Sequence, residues 1–117
     1  MQKVFIITGA NRGLGEAFVN VLIKNKNHFI ISISRSQSDE QKTYVPANFY
    51  FLKADLSENT LEKKIGVLKD LIANEDIYFI NNASIIEPIT KIEYLNGEAI
   101  DMVLSVNIKS TMLITKY

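Results

Sequence analysis

The chain has 117 residues, 47% apolar and 22% charged, which suffices for one packed core and is too hydrophobic for a disordered tail. Thirteen basic residues balance thirteen acidic ones and cysteine is absent, so neither a general attraction to nucleic acid or anionic membrane nor disulfide or thiolate chemistry is expected. The apolar run Val4 to Ile7 is too short for a signal peptide, and no stretch approaches the ~20 apolar residues of a membrane-spanning helix, so a soluble, cytoplasmic protein is expected.

Four strand-like runs alternate with three helix-like ones, the pattern of a parallel sheet with crossover helices. Lys3 to Thr8 is the first strand, apolar enough to be buried on both faces. From Gly13 a helix follows, with Leu14, Ala17, Phe18, Val21 and Leu22 predicted to face the sheet, and Asn25 and Asn27 marking its end. Phe29 to Ser34 is the second strand. Gln37 to Asn48 reads as a polar loop in which Pro46 discourages regular structure. Phe49 to Lys53 is the third strand, and Ser57 can cap a helix carrying Leu61, Ile65, Leu68 and Ile72 on one face. Ile77 to Ile80 is the fourth strand. A last helix begins near Asn96 and carries Ile100, Val103, Leu104, Ile108 and Ile114. No repeat or linker divides the chain, so residues 1–117 are read as one α/β domain.

Between the first strand and the first helix stands Thr8-Gly9-Ala10-Asn11-Arg12-Gly13-Leu14-Gly15. Glycines permit positive φ and close approach of a ligand, while the helix behind them offers unpaired N–H groups and the positive end of its dipole. A dinucleotide pyrophosphate fits such a cradle; a tight strand-to-helix turn without ligand is the alternative. The spacing Gly-x-x-x-Gly-x-Gly differs from the Gly-x-Gly-x-x-Gly of most dinucleotide folds. Preceded by a strand and Thr8, and followed by an amphipathic helix, it resembles the short-chain dehydrogenase/reductase family. The resemblance implies a Rossmann-type doubly wound parallel sheet in three layers, α/β/α, here with about four strands and three helices. It also implies an oxidoreductase that moves a hydride between a nicotinamide cofactor and a small carbonyl compound or alcohol. The glycine loop and Ile31-Ser32-Ile33-Ser34-Arg35 are most similar to the sepiapterin and benzil reductase branch.

The end of the second strand bears on the choice between NAD and NADP. An acid there suits a ribose 2′-hydroxyl and an arginine a 2′-phosphate. The chain reads Ile33-Ser34-Arg35-Ser36, with no acid before Asp39, and Arg12 adds a second cation inside the glycine loop. Two guanidinium groups, with a hydroxyl from Ser34 or Ser36, can hold a phosphate, so NADP(H) is the expected cofactor. Solvated surface arginines are the alternative.

Further positions resemble the same family. Asp55-Leu56 is similar to its Asp-Leu pair, in which the carboxylate accepts from the adenine amino group and the apolar neighbour lines the adenine pocket. Asp55 equally suits the start of the helix near Ser57. Asn81-Asn82-Ala83-Ser84 resembles Asn-Asn-Ala-Gly, where small side chains let the nicotinamide ribose approach and the Asn82 amide ties strands together; Ser84 replaces the usual glycine. Asn107 follows Val103 by four and Leu104 by three, which aims it from the apolar stripe toward the core. A buried amide needs partners. The resemblance implies a catalytic role, holding a water in a proton relay; a core Asn satisfied by backbone is the alternative.

Other candidates carry little. His28 has no companion ligands, the Phe49-Tyr50-Phe51 cluster lacks a basic patch beside it, and Asp70, Glu75 and Asp76 read as a solvated face.

The family's reaction uses a tyrosine as proton donor or acceptor, a lysine four residues on, and a serine that positions the carbonyl. Tyr44, Tyr50, Tyr78 and Tyr94 are followed at that spacing by Asn48, Ala54, Asn82 and Glu98, and Tyr117 is the last residue. The resemblance places the missing serine, tyrosine and lysine C-terminal to Tyr117. The expectation is therefore the N-terminal half of a longer reductase, inactive alone, with Ile77 to Ile80 an exposed apolar edge and marginal stability in isolation. A complete non-catalytic dinucleotide-binding or interaction module is the alternative. A homodimer or homotetramer, formed through the last helix, is what the resemblance implies for the full-length protein.

Overall fold

The structure is a computed structural model and describes residues 2–57, 61–66, 68, 72, 75–83, 96–109 and 112; Asp70, Ser84 and Ile114 lie outside them. Strands β1 (Lys3–Thr8), β2 (His28–Ser34), β3 (Phe49–Lys53) and β4 (Asp76–Ile80) form a parallel sheet in the order β3-β2-β1-β4. Helix α1 (Gly13–Leu22) connects β1 to β2, α2 (Leu61–Gly66) lies between β3 and β4, and α3 (Gly97–Leu104) runs directly into a π-helical turn, Ser105–Lys109. This is a Rossmann-type arrangement with helices on both faces of the sheet.

Burial on both faces explains why the strands read as nearly continuous apolar runs. Val4, Ile6, Ile31, Ile33 and Leu52 point to one side, where Leu61, Ile65, Leu68, Ile72 and Val106 cover them. Ile7, Ile30 and Phe49 point to the other and pack with Val19 and Ala10. Adjacent strands are in register, so Phe5 lies opposite both Ile30 and Tyr78, and the Phe5 and Tyr78 rings stack at 5.1 Å between centroids. His28 closes this row: its ring meets Phe5 edge-on, and Nδ1–H donates to the Leu22 carbonyl at 2.8 Å. A structural anchor is what the lone histidine provides.

Two of the predicted helix faces differ in the structure. On α1 the buried residues are Gly15 and Val19, with Leu22 and Ile23 half-buried, whereas Leu14 and Val21 are each 65% exposed. The helix is apolar on two sides, and the side bearing the smallest residue turns inward because Gly15 lets the helix approach the end of β1 closely. On the last helix no residue of Gly97–Leu104 is buried; Ile100, Leu104 and Ile108 are exposed, and Val106 enters the core instead. The π-helical turn adds a residue to the repeat, so the 3.6-residue periodicity that placed Asn107 on the inward stripe breaks there, leaving Asn107 half-buried.

The loop after β2 is more ordered than Pro46 suggests. Ser38 and Gln41 bond reciprocally, Ser38 Oγ accepting from the Gln41 backbone N–H at 3.2 Å and Gln41 Oε1 accepting from the Ser38 N–H at 3.3 Å. This capping box starts a 3₁₀ turn at Gln41–Thr43. Beyond it Tyr44 donates to Asn20 Oδ1 at 2.6 Å, fastening the loop to α1.

Candidate functional site

The strand order reverses at β1: from there the chain builds outward through β2 and β3, then returns to lay β4 on the opposite side. The loops leaving β1 and β4 therefore diverge and open a crevice at the carboxyl ends of the strands, where open α/β sheets bind their ligands. A cleft of about 430 Å³ occupies this place.

Its floor is built by side chains that tie β1 to β4. The buried Thr8 hydroxyl oxygen accepts from the Asn82 and Ala83 backbone N–H groups, both at 3.1 Å, and Asn82 Nδ2 donates to the Gly9 carbonyl at 3.2 Å. Gly15 lies directly beneath. A Cβ on it would fall inside contact distance of the Gly9 carbonyl oxygen and 2.6 Å from Asn82 Nδ2. Gly13 has a different requirement: its φ is +59°, and a Cβ there would meet nothing within 4 Å. Its backbone faces open space at the start of α1.

The residue capping α1 is Arg12, in extended conformation and with no side-chain bond to the helix. An arginine offers no acceptor, so the first-turn N–H groups are left for another partner, and the dipole favours an anion there. A glycine-walled opening in front of unpaired helix donors fits a pyrophosphate.

At the β2 end, Ser34 Oγ donates to the Ser36 carbonyl at 2.6 Å and turns the chain, while Ser36 Oγ accepts from Asn11 Nδ2 at 3.3 Å. Ser34 thereby uses its proton within the loop, and Ser36 keeps one to give. Arg35 and Arg12 both line the cleft. Asp39, the first acid after β2, lies out in solvent 3.5 Å from Lys42 and does not line it. At the β3 end, Asp55 Oδ1 accepts from the Ser57 N–H at 2.9 Å and the Ser57 hydroxyl at 2.7 Å. These two bonds, the backbone one first, hold its carboxyl below the ordinary carboxylate range; burial opposes them, and the charges of Arg35 and Lys64 add to them.

Of the residues read from sequence, the cleft brings together Gly9, Asn11, Arg12, Gly13, Arg35, Asp55, Leu56, Asn82 and Ala83. Thr8 and Gly15 lie under it as supports. Leu14 is exposed, Ser36 bonds Asn11 without lining the cleft, and Asn107 sits in the π-helical turn without lining it. Ser84 falls outside the described residues. Sequence reasoning missed Met102 and Val106, which close the cleft from the last helix. Their four-residue spacing was a usable signal. It also missed Gln41, for which Ser38-Asp39-Glu40-Gln41 was the sign of a capping box.

A parallel sheet with a glycine-lined opening at its switch point is the arrangement of dinucleotide-binding folds. The family model for short chain dehydrogenases matches residues 3–117, and the chain belongs to that family. It is 30% identical over 121 residues to an (S)-benzoin-forming benzil reductase of Bacillus cereus, covering 97% of this chain and 48% of the relative. It is 28% identical over 120 residues to an NADPH-dependent pterin aldehyde reductase of Arabidopsis thaliana, covering 98% and 49%. A crystal structure of a short chain dehydrogenase family protein from Francisella tularensis matches with a TM-score of 0.75 at 33% identity, over 99% of this chain and 44% of that one. The chain spans about half the length of the curated relatives it matches.

Proposed function

We propose that the intact protein is an NADP(H)-dependent oxidoreductase that reduces a ketone or aldehyde to an alcohol, or runs the reverse. The observation that carries the cofactor choice is the pair Arg12 and Arg35 in one cleft with Asp55, with Asp39 turned away to Lys42. Two guanidinium groups attract a 2′-phosphate, whereas a carboxylate in their place would repel it. The NADPH dependence in the name of the pterin aldehyde reductase relative supports the same reading.

In this reading Gly13 and the first turn of α1 hold the pyrophosphate, and Arg12, Arg35 and Ser36 hold the 2′-phosphate. Asp55 accepts from the adenine amino group between Leu56 and Val106. Asn82 and Ala83 flank the nicotinamide ribose, and Asn107 orients a relay water from the π-helical turn. The bound nicotinamide supplies or accepts the hydride. No tyrosine in these 117 residues has a lysine four positions on, so none of them is assigned the role of proton donor. Assembly as a homodimer or homotetramer and a cytoplasmic location belong to the same proposal; no described helix is long and apolar enough to cross a membrane.

Fluorescence titration of the intact protein tests the cofactor assignment. NADPH should bind at least about tenfold more tightly than NADH, and Arg35→Asp should lower NADPH affinity roughly 100-fold, about the loss of one charge-assisted phosphate contact plus the repulsion introduced. Equal affinities for the two cofactors would remove the role given to both arginines. Turnover of NADPH with assorted ketones tests the reaction.

A further inference from the structure

Two loops contribute to the cleft at the proposed 2′-phosphate position. The glycine loop brings Arg12, and the loop after β2 brings Arg35 and Ser36. A phosphate bracketed by groups on separate loops is held well only if the loops keep a fixed separation, because charge-assisted hydrogen bonds weaken over a few tenths of an ångström. Gln41 supplies that constraint. It is a polar side chain only 1% exposed, set in the 3₁₀ turn six residues beyond Arg35 and far from it in chemistry.

Of the three bonds of its carboxamide and backbone N–H, one joins the two loops and two fix the turn in which it sits. Nε2 donates to the buried Ala10 carbonyl, inside the glycine loop, at 2.5 Å. Oε1 accepts from Ser38 N–H, and the Gln41 N–H donates to Ser38 Oγ, so the same residue fixes the turn that follows Arg35 and Ser36. Asn11 Nδ2 to Ser36 Oγ also connects the loops, but at 3.3 Å and exposed to water it is the weaker tie. The far end of the loop is held independently by Tyr44 on Asn20. The glycine loop and the loop after β2 thus share one buried amide.

We infer that Gln41 is a positioning residue for cofactor discrimination: it sets the spacing between Arg12 and Arg35, and the preference for a 2′-phosphate depends on its bond to Ala10. The inference rests on the NADP(H) reading. Gln41 touches no cofactor atom in this account. Its effect is transmitted through the two loops, and NADH, which has no 2′-phosphate to bracket, should be nearly indifferent to it.

The test uses the intact protein and two variants. Gln41→Met keeps the length of the side chain, adds no charge near the phosphate, and removes both carboxamide bonds. Ser38→Ala leaves the carboxamide in place and removes the acceptor that orients the Gln41 backbone. Dissociation constants for NADPH, NADH, adenosine 2′,5′-bisphosphate and 5′-AMP are measured with a thermal melt of each protein. Gln41→Met should weaken NADPH and the bisphosphate about tenfold, the usual scale for one buried hydrogen bond, and NADH and 5′-AMP by less than about threefold. Ser38→Ala should move the same ratio in the same direction by a smaller factor, and it decides the matter if Gln41→Met does not fold. An equal loss for both cofactors would overturn the inference, since the bond would then serve the pyrophosphate cradle or the fold alone; so would an unchanged ratio. Wild-type protein with no preference for NADPH would overturn the cofactor reading and this role together. Wild-type preference, sensitive to Arg35→Asp but retained in both variants, would overturn the role of Gln41 only.

Discussion

Gly15 and Gly13 belong to one motif but are needed for different physical reasons, and substitution separates them. Alanine at Gly15 drives a methyl group into the Gly9 carbonyl and Asn82 Nδ2, both part of the seam joining β1 to β4. Overpacking of this kind costs about 1–3 kcal/mol. Alanine at Gly13 meets open space and carries only the strain of positive φ, about 1–2 kcal/mol at most. Chemical denaturation should therefore rank Gly15→Ala below Gly13→Ala in stability, while Gly13→Ala, at a residue that lines the cleft, should lose cofactor affinity out of proportion to its small loss of stability. Asp55 provides a second residue-level expectation. Its carboxyl titrates below the unfolded value because of the Ser57 backbone N–H, then the Ser57 hydroxyl. A lowered folded pKa stabilises the protein above the unfolded carboxylate pKa of about 3.9 and loses that contribution as pH falls through the folded value. Thermal melts of wild type and Asp55→Asn should differ at pH 7 and converge as the pH is lowered past about 4; a pH-independent difference would mean that the charge contributes nothing.

At the scale of elements, strands were far more legible than helix faces. β1 and β3 run Lys3–Thr8 and Phe49–Lys53, as their apolar character predicts, because a strand covered on both sides leaves no ambiguity about which residues are inside. Helix α1 offers two apolar sides, Leu14, Phe18 and Val21 against Gly15, Val19 and Leu22, and spacing alone ranks them equally. What separates them is the close approach allowed by Gly15, a packing fact that appears only when the sheet is present. The π-helical turn at Ser105–Lys109 was invisible for a related reason: a fixed period cannot register a local change of period. The glycine cradle, Arg35 and Asp55 were readable because each lies next to the end of a strand, where topology leaves little freedom. Met102 and Val106 reach the site from an element far along the chain, and Gln41 stands beside it without lining it. The α1 assignment can be checked directly. Val19→Ala should cost about 2 kcal/mol in urea unfolding, two buried methylene equivalents and a small cavity. Val21→Lys, on the exposed side, should stay within about 0.5 kcal/mol of wild type in the 117-residue chain.

For the whole molecule, the same topology that creates the cleft also leaves apolar surface uncovered. In the described sheet β4 pairs with β1 alone, and Ile77 and Tyr78 on it are each 45% exposed. Across the molecule from α1, Ile100 and Leu104 on α3 and Ile108 in the π-helical turn are exposed at spacings close to one helical turn. A free apolar strand edge templates pairing with another chain, and a contiguous apolar helix face larger than a few hundred Å² marks a contact surface. The 117-residue polypeptide on its own is therefore expected to self-associate at micromolar concentration, and sedimentation velocity between about 5 and 100 μM checks this by the growth of species above 13.2 kDa. Two variants locate the contact. If the helix face drives association, Leu104→Glu with Ile108→Lys should restore the monomer while Ile77→Lys leaves the larger species in place; if the strand edge drives it, the outcomes exchange. A monodisperse 13.2 kDa monomer at about 100 μM with a cooperative thermal transition would show that both surfaces are tolerated by a self-sufficient fold, because exposed side chains that gain nothing from a partner have no reason to bring chains together.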